Sequence, residues 1–191
     1  MKNSKSVGAA CEPPAPAKEP PAKKRIFFLA QAAVIAALYA GLTLATPLLS
    51  YGNIQFRFAE ALTLLPVLTP AAIPGLTVGC AIANIASPTL GVFDVAFGSL
   101  ATLLAALCAY ALRGVTVKKQ PLLSALMPVL FNGAIIGLML ALVLFDEFRW
   151  MNFLLFAGEV ALSELVICFA LGLPLAALLR KTPIFENPRR Y

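Results

Sequence analysis

Residues 26–49 read IFFLAQAAVIAALYAGLTLATPLL, with no charged side chain and a single amide, Gln31. As a helix this run rises about 36 Å, more than the roughly 30 Å hydrocarbon core of a bilayer. Apolar residues fill every face rather than one stripe, so lipid or other helices must surround it. It is too long for the apolar core of a signal peptide, and its end, TPLLSYG, is a poor cleavage site. A membrane span is therefore expected here, and it sets the fold class for the rest of the chain.

Composition points the same way. Of 191 residues, 60% are apolar and 13% charged, and mean hydropathy is +0.87. The charged share is about half that of a soluble domain. A soluble globule of this size could not hide so much apolar surface. One integral membrane domain is the reading that fits. The formal charge of +6 and the pI near 9.4 would suit a nucleic-acid partner in a soluble protein. In a membrane protein, positive charge marks the cytoplasmic ends instead, so no nucleic acid is expected. Histidine is absent, which removes imidazole metal ligands, His proton relays and Ser/His or Cys/His nucleophile pairs. Cys11, Cys80, Cys108 and Cys168 form no C-x-x-C pair, so neither a zinc site nor a redox motif is supported. Neither an enzyme, a cofactor nor a metal is expected.

Working outward, residues 1–25 contain CEPPAPAKEPPAKKR, rich in Pro, Ala and Lys, and read as a disordered cytoplasmic tail. After the first span, Pro66, Pro70 and Pro74 divide the next region into two short helices, about 58–69 and 71–86. Short spans with prolines fit inside a compact bundle, where neighbours satisfy the released backbone groups. Further helices are expected over Val92–Leu112, Leu122–Phe145 and Asn152–Leu179, and a second cytoplasmic tail over 181–191. The expected fold is thus an all-α integral membrane protein, a six-transmembrane-helix bundle over residues 26–180. Six crossings put both termini on one side. Lys and Arg agree: 13 of the 15 fall in the two tails and in the loop holding Arg113, Lys118 and Lys119, leaving Arg57 and Arg149 for the other side. Trp150, Phe148 and Tyr51 then form an outer interfacial belt.

Polar groups inside spans are costly and are functional hypotheses by default. Arg57 and Glu60 open the second helix. Asn84 and Ser87, three residues apart, share one face of the third. Asp94 opens the fourth, Asn132 lies near the middle of the fifth, and Glu159 and Glu164 lie on the sixth. All fall in the outer half or at the midplane, which describes an outward-facing polar pocket. Each has a structural alternative: an Arg57–Glu60 ion pair, an Asp94 helix cap, interhelical bonds from Asn84 and Asn132, a solvated Glu159. Glu164 is the hardest to explain that way, because it is too deep to reach the interface easily. The first helix carries small residues at four-residue spacing, Ala32/Ala36, Ala33/Ala37 and Ala36/Ala40, a pattern that lets another helix approach closely.

Three stretches carry a resemblance: YGNIQFRFAEALTLLP (51–66), GLTVGCAIANIASPTLGVFDVAFGSLATLLAA (75–106) and SELVICFALGLPL (163–175). They closely resemble the QueT family, over almost all of residues 27–180. The resemblance implies a substrate-binding S component of an energy-coupling factor transporter, assigned to queuosine precursors, in a bacterial plasma membrane. It implies a complex with a transmembrane coupling subunit and two cytoplasmic ATPases, docked partly through an Ala-x-x-x-Ala face on the first helix. Ala32, Ala33, Ala36, Ala37 and Ala40 supply that pattern in overlapping registers. The family pattern covers Gln55, Arg57, Glu60, Asn84, Ser87, Asp94, Asn132 and Glu164; Glu159 lies in a less distinctive stretch. The implied ligand is a 7-deazaguanine base. Its guanine-like edge would be accepted by a carboxylate, and its ring would stack on aromatics such as Tyr51, Phe56 or Phe93.

The chain has no G-x-x-x-x-G-K-[ST] loop, so ATP hydrolysis by that route must come from partners. The alternative from another class is a small proton- or cation-coupled carrier, because such carriers also use intramembrane acids. Their usual internal repeats are not evident between 26–112 and 122–180.

Overall fold

The computed structural model describes residues 21–47, 56–86, 91–117, 120–145 and 147–182. Within them the chain is helical, with no strand. The elements are α1 (Pro21–Ala45), α2 (Phe58–Val67), α3 (Ala72–Ile85), α4 (Asp94–Ala111), α5 (Leu122–Val143) and α6 (Trp150–Leu179). All six expected helices are present. Four of them, α1, α4, α5 and α6, are long and apolar enough to cross a membrane. At their usual rises α2 and α3 each span only about 20 Å. α1 begins earlier than the apolar run does, so Lys23, Lys24 and Arg25 lie in its first turns. The expectations for residues 1–20, Tyr51, Gln55, Ser87, Lys118, Lys119 and 183–191 lie outside the described residues.

α2 is a 3₁₀ helix of 10 residues, long for this type. Its three-residue period makes three ridges, because residues i and i+3 eclipse. Ala59, Leu62 and Leu65 form the first, packed with Ile35 and Tyr39 of α1 and Leu76, Cys80 and Ala83 of α3. Leu64 belongs to the second, packed with Cys168 and Ala176 of α6. Glu60 and Thr63 belong to the third. Residues 59–66 are all buried, and α2 touches every other helix. A helix apolar on nearly all sides belongs at the centre of a bundle, and α2 occupies that place.

Small residues set the closest crossings. A Cβ on Gly75 would stand 2.7 Å from the Ala32 carbonyl oxygen, and one on Gly79 would stand 2.8 Å from that of Ala36. Gly75 and Gly79 are a G-x-x-x-G pair whose missing side chains let α1 and α3 meet backbone to backbone. This uses the Ala32/Ala36 register of α1 for internal packing, and Ala40 is buried as well. Ala33 and Ala37 face outward, in line with exposed Gly41 and Ala45. α5 meets α6 in the same manner, with a Gly137 Cβ only 2.6 Å from Ala157 Cα.

Two π turns interrupt the long helices, Asp94–Gly98 in α4 and Cys168–Gly172 in α6. In α6, Pro174 lacks the N–H that would bond the carbonyl of Ala170, and a wider turn there relieves the clash. The loop after α5 carries exposed Arg149 and Glu147, 3.8 Å apart, a pairing worth little at a surface. Phe148 and Trp150 stack edge to face at 5.2 Å, and both are exposed, as interfacial aromatics are.

Candidate functional site

Six helices this apolar ought to bury apolar groups, yet Arg57, Glu60, Asn84, Asp94, Asn132 and Glu164 are all more than nine-tenths buried. α2 brings Arg57 and Glu60, its first turn being held by Glu60 N–H donating to the Arg57 carbonyl at 2.9 Å. α5 brings Asn132, and α6 brings Glu164 one turn before its π turn. These four line one cavity with Gly98 and Thr102 of α4, Ile136 of α5 and Val160 of α6. It has room for about one water molecule.

Each carboxylate has one oxygen engaged. Tyr39 of α1, fully buried, donates its O–H to Oε1 of Glu60. Oε2 of Glu60 is buried and has no hydrogen-bond partner among the described residues. Asn132 Nδ2 donates to Oε1 of Glu164 at 2.6 Å, while Oε2 of Glu164 meets, among the described residues, only the weak Sγ–H donor of Cys168, at 3.7 Å. Cys168 Sγ also lies 3.7 Å from Thr63 Oγ1 and 3.8 Å from the Glu60 carbonyl, so it joins the two acidic walls. Arg57 interacts electrostatically with Glu60 and Asp94. One guanidinium thus faces two cavity carboxylates, with a third acid, Asp94, close by. Such a set leaves acceptor capacity and negative charge for a ligand that donates hydrogen bonds.

Asn84 and Asp94 form the adjoining wall. Asn84 Nδ2 donates to the Asp94 carbonyl at 2.8 Å and to Cys80 Sγ at 3.4 Å. A Cβ on Gly98 would run into Nδ2 of Asn84, so this glycine lets α3 press its amide against the π turn of α4. Asn84 is therefore both an interhelical bond and a neighbour of the cavity lining.

Four candidates stand apart. Gln55 lies outside the described residues. Glu159 is exposed on α6 and does not reach the cavity. Of the stacking candidates, Phe93 is half exposed and Phe56 is partly buried; neither lines the cavity. Conversely, Tyr39, Thr63, Thr102 and Cys168 take part without having been candidates. Tyr39 had one signal: it is the sole phenol in an otherwise apolar span, and buried Tyr hydroxyls seek partners. Cys168 read as a small hydrophobe, which gave no signal at all.

Fold and cavity together define a multi-pass helical membrane protein whose buried charged and amide groups converge on one cavity. The chain belongs to the QueT transporter family, whose model matches residues 29–181. A relative named queuosine precursor transporter QueT, from Lactococcus lactis subsp. cremoris (strain MG1363), is 39% identical over 83 residues. That match takes in 42% of this chain and 48% of the relative, so the chain spans about half the length of the relative it matches. No solved structure matches the chain.

Proposed function

We propose that this protein is the substrate-binding S component of an energy-coupling factor importer for a queuosine precursor of the 7-deazaguanine class. The observation that carries this reading is the cavity in which Arg57, Glu60, Asn132 and Glu164 converge. A guanine-like edge offers adjacent N–H donors, and the cavity offers two carboxylates that each keep an oxygen short of a strong donor. An aminomethyl substituent would add a cation, which the acidic excess favours. The cavity has room for about one water molecule, less than a fused-ring base needs, so binding requires its walls on α2, α4, α5 and α6 to part.

In this reading all six helices lie in a bacterial plasma membrane with both termini in the cytoplasm. The cavity then opens outward, because Arg57, Asp94 and the Trp150 end of α6 share the outer half. The transmembrane coupling subunit docks on the Ala33/Ala37 face of α1, since Ala32, Ala36 and Ala40 are spent on burial within the bundle. Two cytoplasmic ATPases supply the energy.

Paired intramembrane carboxylates also serve proton-coupled carriers, and one experiment separates the two. Vesicles holding the protein, with and without its coupling subunit and ATPases, are offered a labelled 7-deazaguanine. Uptake that needs the partners and ATP supports the importer. Uptake driven by a proton gradient without them establishes the carrier instead.

A further inference from the structure

Tyr39 lies on α1, outside the cavity lining, yet its O–H reaches Oε1 of Glu60. The other oxygen of that carboxylate is buried with no partner among the described residues, in a side chain that lines the cavity. The phenol has little freedom to withdraw. A Cβ on Gly79 of α3 would stand 2.9 Å from Tyr39 Cβ, so the two helices are already in contact at this level. The ring itself is fully buried in the core shared by α1, α2 and α3.

A carboxylate alone can receive two adjacent N–H donors, one on each oxygen. The phenol takes one lone pair of Oε1, so a ligand donor at that oxygen must share it with Tyr39, while Oε2 is free to take a full bond. We infer that Tyr39 is a positioning residue that sets specificity: by sharing Oε1 it weakens Glu60 as a two-oxygen acceptor, so a ligand is read at this wall chiefly through the donor that reaches Oε2. The inference rests on the proposed binding of a 7-deazaguanine in this cavity. Glu164 is divided in a similar way by Asn132, so adjacent donors on a ligand are shared between α2 and α6. That division makes recognition depend on the spacing of the two helices as well as on the ligand edge.

The test is a ratio of affinities, measured by calorimetry on the full chain in detergent. The probes are 7-deazaguanine and 7-deazahypoxanthine, which lacks the exocyclic amine. Tyr39→Phe removes the competing donor at Oε1, and Glu60 then takes both N–H donors of the guanine edge at full strength. The preference for 7-deazaguanine is expected to rise about tenfold, the factor for one added bond to a charged group. In a Glu60→Gln background the same change is expected to leave the ratio unaltered. Tyr39→Met also lacks the hydroxyl and serves if Tyr39→Phe does not fold. A ratio within about twofold of wild type in a folded variant overturns the inference, as does a shift that persists without the Glu60 carboxylate. Wild-type protein that binds neither base would overturn the functional reading itself, a different outcome from either of these.

Discussion

Gly137→Ala is the sharpest structural perturbation the bundle offers. The added Cβ would stand 2.6 Å from Ala157 Cα, 2.7 Å from its N and 2.8 Å from its Cβ. Ordinary carbon contacts are about 3.5–4.0 Å, so α5 and α6 must separate by about 1 Å at this level. Backbone cannot swing aside as a side chain can, and overpacking of this kind costs about 1–3 kcal/mol. Asn132 lies about 7.5 Å further along α5 and holds Glu164 at 2.6 Å. Moving the helices apart by about 1 Å takes that bond to the edge of hydrogen-bond range. Losing it adds about 1.5–3 kcal/mol, since one partner is charged. The combined effect lowers the melting temperature in detergent by on the order of 10 °C and weakens ligand binding. Gly158→Ala, one residue beyond the contacted Ala157, is the control. Its Cβ meets nothing within 4 Å, and replacing a helical Gly adds up to about 1 kcal/mol of stability. If Gly137→Ala melts as high as Gly158→Ala and binds as well, the close α5–α6 crossing is not what positions the site.

Other outcomes follow from the same geometry. Asn132→Leu leaves the Glu164 oxygen buried without its donor and should cost about 1–3 kcal/mol, read as a fall in melting temperature together with a binding loss of about tenfold or more. Gly98→Ala drives a Cβ into Asn84 Nδ2; thermal melts should show a loss of about 1–3 kcal/mol. Glu159→Gln, on an exposed face, should leave affinity within about twofold by calorimetry. Ala37→Leu enlarges an outward face of α1 and should leave binding by the isolated protein intact while ATP-driven uptake in vesicles falls.

Much of the bundle was legible in the sequence because apolar run length is a strong signal. Helices α1, α4, α5 and α6 could be placed from it, and prolines placed the breaks around α2 and α3. The 3₁₀ character of α2 was present as a three-residue repeat, Ala59, Leu62, Leu65, but in an almost wholly apolar segment any period is hard to separate from background. Within the site, Arg57, Glu60, Asn132 and Glu164 stood out because charge and amide groups are rare in spans. Their convergence depends on which face each helix turns inward, and the two π turns alter that register without leaving a composition signal. The overlapping alanine registers of α1 could not be resolved from α1 alone. Gly75 and Gly79, on another helix, decide which register is used internally. Glu159 shows the converse, since a charge in an expected span can still point outward.

The central claim is that this chain alone forms the binding site, with Glu164 as an essential acceptor. Calorimetry of the purified protein in detergent, without any partner subunit, tests it directly with an aminomethyl 7-deazaguanine as titrant. Saturable binding by the wild type is expected, with a loss of more than about tenfold for Glu164→Gln, since a charged acceptor is removed from a buried bond. Equal affinity in the two proteins, or no binding by the wild type, would contradict it.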